Sequence, residues 1–166
     1  MNVTIQIIKE DVLYQVKQEA FLTGEAMKDG TPQEINRATK TQASDDDDYL
    51  LNKYIDTAAS AVMDILTGHL STVSLEKGEV KTSRGFDTEA YYFLLEVPNT
   101  YDVNQNEPLY EGIMDYMAQY ALYKWYKRVN PQMADPSELD ALRSDINHRI
   151  NQRTRPVRRP VLGMNF

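Results

Sequence analysis

One stretch of the chain, from Leu51 to Leu66, limits the fold more than any other because its apolar residues recur at helical spacing. Its apolar face comprises Leu51, Tyr54, Ile55, Ala58, Ala59, Val62, Ile65 and Leu66. Ser44 can cap this helix, and the carboxylates of residues 45–48 fall in its first turn, where the helix dipole favours negative charge. Gly68 can end it. The sequence therefore predicts a long amphipathic helix that needs packing partners.

Three further segments repeat this spacing and predict a mainly α fold, a bundle of about four helices. The first runs from about residue 10 to Gly24, the second from about residue 108 to 129, and the last from Asp135 to about Arg153. Their apolar residues are Val12, Leu13, Val16, Ala20 and Phe21 in the first, Leu109, Ile113, Met114, Met117, Tyr120, Ala121, Leu122 and Trp125 in the second, and Leu139, Leu142, Ile146 and Ile150 in the last.

The remaining segments predict a small amount of extended structure. Residues 3–8 alternate β-branched and polar side chains, which predicts a strand or an extended N-terminal arm. Residues 71–98 contain short β-like runs, typical of a small β-hairpin or flap inserted between helices. Residues 28–43 are polar and contain Gly-Thr-Pro, which predicts a mobile loop or a short helical turn. We expect one domain over residues 1–153 and an extended arm over 154–166.

Charge is distributed very unevenly along the chain. From Arg143 to Phe166 there are six arginines and one acidic residue, a net charge of +5, whereas the other 142 residues carry 12 basic and 24 acidic groups, a net charge of −12. Pro156, Pro160 and Gly163 prevent the last part from being helical. The sequence predicts an acidic body with a basic, proline-stiffened and partly apolar arm, suited to attachment.

No motif predicts a catalytic residue, a cofactor or a metal. The chain has no Cys and two His, His69 and His148, and it lacks a Gly-x-Ser-x-Gly turn and a glycine-rich phosphate loop. The aspartates at 45–48 lack the alternating oxygen ligands and the turn glycine of a calcium loop, so a solvated helix cap is favoured.

Two groups of residues are candidates for protein contacts. The arm could dock on a partner through arginine forks and apolar side chains, could bind nucleic acid, or could be a disordered solubilising tail. Its candidate docking residues are Arg153, Arg155, Arg158, Arg159, Val161, Leu162 and Phe166. Aromatic residues of the second long helix could form a core with polar edges or a subunit interface. The interface candidates are Tyr110, Tyr116, Tyr123, Trp125 and Tyr126.

The N-terminus has neither the basic nor the apolar region of a signal peptide, and no apolar run is long enough to cross a bilayer. We therefore expect a soluble protein made in the cytoplasm, with no membrane partner. The net charge of −7 argues against nonspecific binding of nucleic acid by the body.

The order of these parts resembles the head–tail connector (adaptor) proteins of tailed bacteriophages. The resemblance lies in the acidic cap followed by residues 49–68, with Leu, then Ile-x-x-Ala, then Thr-Gly, and in residues 113–128, with Ala118, Ala121 and Trp125-Tyr-Lys-Arg. A β-rich excursion separates the two helices in that family, as residues 71–98 do here. The resemblance covers roughly residues 10–153.

The resemblance implies a structural virion protein at the head–tail junction, made in the cytoplasm of the bacterial host. In that family twelve copies form a ring below the portal protein, extend the DNA channel and present a platform for the tail or further neck proteins. Acidic helix faces would let DNA pass without specific binding. The tyrosine-rich helix would serve subunit contacts, and the arm would grip the portal or a neighbouring subunit.

Three alternatives remain open at this point. The chain could be another neck or tail-completion ring protein of the virion, which sequence does not separate from a connector. It could be a small regulator that binds nucleic acid through the basic arm, or a metal-dependent nuclease built on the aspartate run. A regulator that binds through the arm should lose affinity for nucleic acid steeply as salt rises. A nuclease should cleave plasmid DNA when divalent ions are added.

Overall fold

The computed structural model describes residues 1–28, 30–71 and 90–155. The elements in chain order are β1 (Asn2–Ile8), α1 (Lys9–Ala26), α2 (Pro32–Thr41), α3 (Asp48–Ile65), β2 (Ala90–Glu96), α4 (Asn106–Val129) and α5 (Ser137–Ile150). The predicted fold class, mainly α with a small β element, is confirmed.

The directions of the helices follow from the side-chain contacts between them. Gln119 of α4 donates to Glu19 of α1 and Tyr126 donates to Thr23, so α1 and α4 run parallel. Lys9 of α1 contacts Asp56 of α3, and Lys17 contacts Asp48, so α3 runs antiparallel to both. Gly112, near the start of α4, lies against Asp145 and Ile146 in the second half of α5. The start of α5 lies near residues 119–126, farther along α4. The two helices therefore run antiparallel.

The core lies where α4 contacts α1, α3 and α5. The predicted stripe of α3 is confirmed, since Leu51, Ile55, Ala58, Ala59, Val62 and Ile65 are all buried. The stripe predicted for the last helix faces the same core, with Ile146 and Ile150 buried and Leu139 and Leu142 packed at its edge. Burial of these apolar faces is the main favourable contribution to the folded state.

The small sheet joins two distant parts of the chain. β1 pairs antiparallel with β2, with Ile5 opposite Phe93 and Ile7 opposite Tyr91. These four side chains are buried, which matches the alternation expected of a strand with one face on the core. The strand predicted over residues 3–8 is confirmed, and the end of the predicted β-rich insertion is β2. Residues 72–89 of that insertion lie outside the described residues.

The prediction of a loop or short turn over residues 28–43 was wrong, because residues 32–41 form the ten-residue helix α2. Thr31 and Glu34 make a reciprocal cap: the Thr31 backbone N donates to Glu34 Oε2 at 2.8 Å, and the Glu34 backbone N donates to Thr31 Oγ1 at 3.4 Å. Pro32 occupies the first helical turn, where its missing N–H costs nothing. The local signal Thr-Pro-x-Glu was present in the sequence.

The ends of the other helices differ from the prediction by a few residues. α1 continues past Gly24 to Ala26, α4 begins two residues before Pro108 at Asn106, and α5 ends at Ile150. At the start of α3 a short 3₁₀ turn over residues 45–47 follows Ser44. Asp47 Oδ2 accepts from the Ser44 backbone N at 2.8 Å and from its hydroxyl at 2.9 Å, so the predicted capping pair is present.

Two helical glycines make a matched pair for a stability test. A Cβ on Gly112 would find Asp145 Oδ2 at 3.4 Å and Ile146 Cγ1 at 3.6 Å, which are ordinary contacts. Gly112→Ala should therefore stabilise the fold by about 0.5–1 kcal/mol, because alanine restricts the unfolded chain and favours helix. A Cβ on Gly24 would meet the Ala38 carbonyl oxygen of α2 at 2.9 Å, so Gly24→Ala should destabilise. Urea denaturation of both variants checks the opposite signs, and equal signs would contradict them.

Candidate docking surfaces

The root of the C-terminal arm is fixed to the body by backbone hydrogen bonds. Arg153 and Tyr101 form an antiparallel bridge, the Asp102 backbone N donates to the Gln152 carbonyl at 3.2 Å, and the Thr154 backbone N donates to the Thr100 carbonyl at 2.8 Å. The Arg153 guanidinium donates back to the Ile150 carbonyl at 3.1 Å. The chain after α5 therefore leaves the body in a defined direction.

Arginine supplies the positive charge at this root, beside the carboxylate of Asp102. Burial, followed by the positive charge of nearby Arg153, lowers the pKa of His69, so its imidazole is neutral at pH 7. Arg155 is exposed beyond the root. Arg158, Arg159, Val161, Leu162 and Phe166 lie outside the described residues, and the docking role of the arm stays a prediction.

The structure divides the five aromatic interface candidates between core and surface. Tyr116 and Trp125 are 6 % and 3 % exposed and belong to the subunit's own core. The Trp125 indole N–H donates to the Thr41 carbonyl at 2.8 Å, which ties α4 to the end of α2. Tyr126 is half-buried and its hydroxyl donates to Thr23 of α1 at 3.1 Å. Tyr110 and Tyr123 are also half-buried, so part of each ring is accessible to a neighbouring chain.

A groove between α1 and the start of α3 was missed by the sequence reasoning. It has a volume of about 500 Å³ and is lined by Glu10, Leu13, Tyr14, Lys17, Gln18, Phe21, Ala43 and Asp48. Tyr14 is 68 % exposed and Phe21 is 51 % exposed. The signal was present in the sequence, because two aromatic residues seven positions apart lie on one face of a helix.

Phe21 was expected on the buried face of α1, and that expectation was wrong. The buried line of α1 is Val12, Val16, Ala20 and Gly24, at strict intervals of four. Phe21 follows Ala20 by one residue and is turned about 100° away from it. Its ring therefore lies at the edge of the groove.

Lys17 joins the groove to the aspartate run. Its ammonium group contacts Asp45 at 2.5 Å and Asp48 at 2.9 Å. The hydrogen bond that Lys17 donates to Asp45 is the largest cause that raises the pKa of Lys17, and the same contact lowers the pKa of the Asp45 carboxyl. Within the described residues, three or more His, Asp and Glu side chains nowhere converge in a way that could hold a metal ion. The aspartates act here as a helix cap with a lysine partner.

The pH dependence of stability should reveal this lysine–aspartate contact. The pKa of Asp45 is lowered on folding, so its contribution is present above the ordinary pKa of an aspartate and is lost as the pH falls through the lowered value. The pKa of Lys17 is raised on folding. Lys17 therefore stabilises the folded state fully below the ordinary lysine pKa, and this stabilisation is lost as the pH rises through the raised pKa. Lys17→Met should lower the melting temperature slightly at pH 7 and by less at pH 2. An equal loss at both pH values would contradict the contact.

Comparison of the chain with protein families, with curated proteins and with solved structures found no significant match. Among residues 1–28, 30–71 and 90–155, every helix is too short or too polar to cross a membrane.

Proposed function

We propose that this chain is a non-enzymatic structural protein of a tailed bacteriophage, which forms a ring below the portal, joins the DNA-filled head to the tail and extends the DNA channel. The observation that carries the proposal is the anchored root of the arm. A basic, apolar terminal segment that leaves a folded body in one fixed direction is suited to holding a second protein.

The arrangement of charge along the bundle supports this proposal. α5 ends where α1 and α4 begin, so the arm leaves at that end of the bundle. Asp45 and Asp48 contact Lys17, midway along α1, so this acidic cluster lies on the side of the body. Each copy thus has a basic arm at one end and an acidic cluster on its side. Such a unit can stack between two different neighbours, and its acidic body would repel DNA that passes along it.

The helical frame also agrees with the resemblance that suggested this role. The acidic-capped helix α3, strand β2 and the long helix α4 follow one another in the order of the connector family. Strand β2 and its pairing with β1 give the frame a small rigid sheet. These features support a mainly structural role but do not distinguish one neck ring from another.

Reconstruction of the purified particle by electron microscopy, with mass spectrometry of its proteins, tests the proposal. We expect a ring of density below the portal into which α1, α3 and α4 fit as a bundle. Density at another position in the neck or tail would make the chain a different ring or completion protein. Absence of the chain from the particle, together with DNA binding that weakens steeply as salt rises, would overturn the structural role and favour a nucleic-acid-binding regulator.

A further inference from the structure

The groove beside α1 has the composition of a binding surface. Tyr14 and Phe21 expose 68 % and 51 % of their surface, and the partly buried Leu13 and Ala43 line the space between them. Contiguous exposed apolar surface with a polar rim is typical of an interaction site.

The rim of this groove is negatively charged. Glu10 and Asp48 line it, and Asp45 contacts Lys17 of the lining. Lys17 is the one cation in the lining, and its charge is already met by Asp45 and Asp48. Aromatic faces next to carboxylates suit arginine, which stacks on rings and forms forked hydrogen bonds with carboxylates.

The C-terminal arm carries the complementary chemistry. Residues 156–166 contain Arg158 and Arg159, followed by Val161, Leu162 and Phe166. Two adjacent cations followed by a short apolar segment match an acidic rim beside an apolar groove. The eleven residues span at most about 36 Å when extended.

We propose that the C-terminal arm of one copy docks in the groove of a second copy, with Arg158 and Arg159 on the acidic rim and the apolar residues after them between Tyr14 and Phe21. This inference rests on the ring assignment above and names the arm's target within it. A second copy is favoured over the same copy because the ring assignment places copies side by side, and because the groove lies between α1 and α3 whereas the arm follows α5, which packs on α4. Such a contact joins unlike surfaces, and its repetition closes a ring when the rotation between successive copies completes a full turn.

Disulfide trapping tests this pairing directly, because the full chain has no cysteine and each introduced thiol is unique. Gln18→Cys places a thiol in the groove lining, where the side chain is exposed, and Gly163→Cys places one in the arm. When the two full-length single variants are mixed in a glutathione redox buffer, we expect a disulfide-linked heterodimer. Ser144→Cys, exposed on α5, is the matched control and should give at least tenfold less heterodimer with Gly163→Cys.

The chain that carries both Gln18→Cys and Gly163→Cys separates the possible occupants. Docking between copies gives a ladder of linked oligomers, whereas docking within one copy gives an internally linked monomer and overturns the proposal. Equal yields from Gln18→Cys and Ser144→Cys also overturn it. Adding Tyr14→Ser and Phe21→Ser to the groove variant should reduce the heterodimer at least fivefold while circular dichroism is unchanged, because both rings are largely exposed.

The experiments distinguish a wrong target for the arm from a wrong assignment of the chain to the neck ring. If Gly163→Cys in assembled particles links only to another protein, the groove is not the target of the arm, although the chain is still part of the neck. If the chain is missing from the particle while the heterodimer forms in solution, self-association stands and the virion role fails.

Discussion

A chain that ends at Arg155 is expected to keep its fold and to lose assembly into particles. The backbone contacts of the arm root, at residues 152–154, remain in this truncation, so the body loses none of its described hydrogen bonds. The removed segment contains Arg158, Arg159 and Phe166, and arginine and aromatic side chains at an interface each contribute about 2 kcal/mol or more. Loss of two such contacts weakens binding about 1,000-fold. Quantitative mass spectrometry of purified particles measures the incorporated chain, and circular dichroism measures the fold.

Two substitutions within the full-length arm refine this prediction. Arg158→Lys combined with Arg159→Lys keeps the charge but removes the planar fork, so assembly should fall without vanishing. Arg158→Glu combined with Arg159→Glu reverses the charge and should match the truncation. Normal incorporation of the truncated chain would show that the arm is dispensable and would contradict both proposals for it.

Trp125→Ala is expected to be the most destabilising single substitution among the aromatic residues of α4. The indole is 3 % exposed in the core, and its N–H donates to the Thr41 carbonyl at 2.8 Å. Replacement by alanine leaves a large cavity and costs about 3–5 kcal/mol, a substantial part of the about 5–15 kcal/mol that stabilises a typical domain. Urea denaturation followed by circular dichroism measures this loss.

Two control variants separate the hydrogen bond from the packing of the indole. Trp125→Phe keeps most of the apolar contact and leaves the buried Thr41 carbonyl without its donor, so it should cost about 1–3 kcal/mol. Tyr49→Ala removes an aromatic ring that is 75 % exposed and should change stability by less than about 0.5 kcal/mol. A loss below about 1 kcal/mol in Trp125→Ala would show that α2 is not held to α4 through this residue.

Sequence patterns identified the long helices because their signals are local. The buried stripe of α3, the Ser44–Asp47 cap and the stop of α4 at Val129 depend on residues within a few positions of one another. α2 was missed because a polar stretch with a single exposed Ile35 carries little apolar periodicity. Its Thr31–Glu34 cap was the available signal, and it should have outweighed the nearby Gly and Pro.

The candidate surfaces were predicted less completely. The arm was evident from its charge and its prolines, but its anchored root depends on Thr100 and Asp102, about fifty residues earlier in the chain. The sequence was equally consistent with Trp125 as an interface residue or as a core residue. Its hydrogen bond to the Thr41 carbonyl shows that it belongs to the core. The groove of Tyr14 and Phe21 became visible only when α1 and the start of α3 were placed side by side.

The sequence by itself determined the four helices with apolar periodicity, although not α2, and where the charges of the chain are concentrated. Helical periodicity, caps and proline effects act over a few residues, so these properties can be read without knowing the neighbours. Only the tertiary structure decided that β1 pairs with β2, that Tyr116 and Trp125 are covered, and that Phe21 is not. The physical reason is that burial depends on contacts between elements far apart in the chain. Several arrangements of the same amphipathic faces satisfy the local pattern equally well.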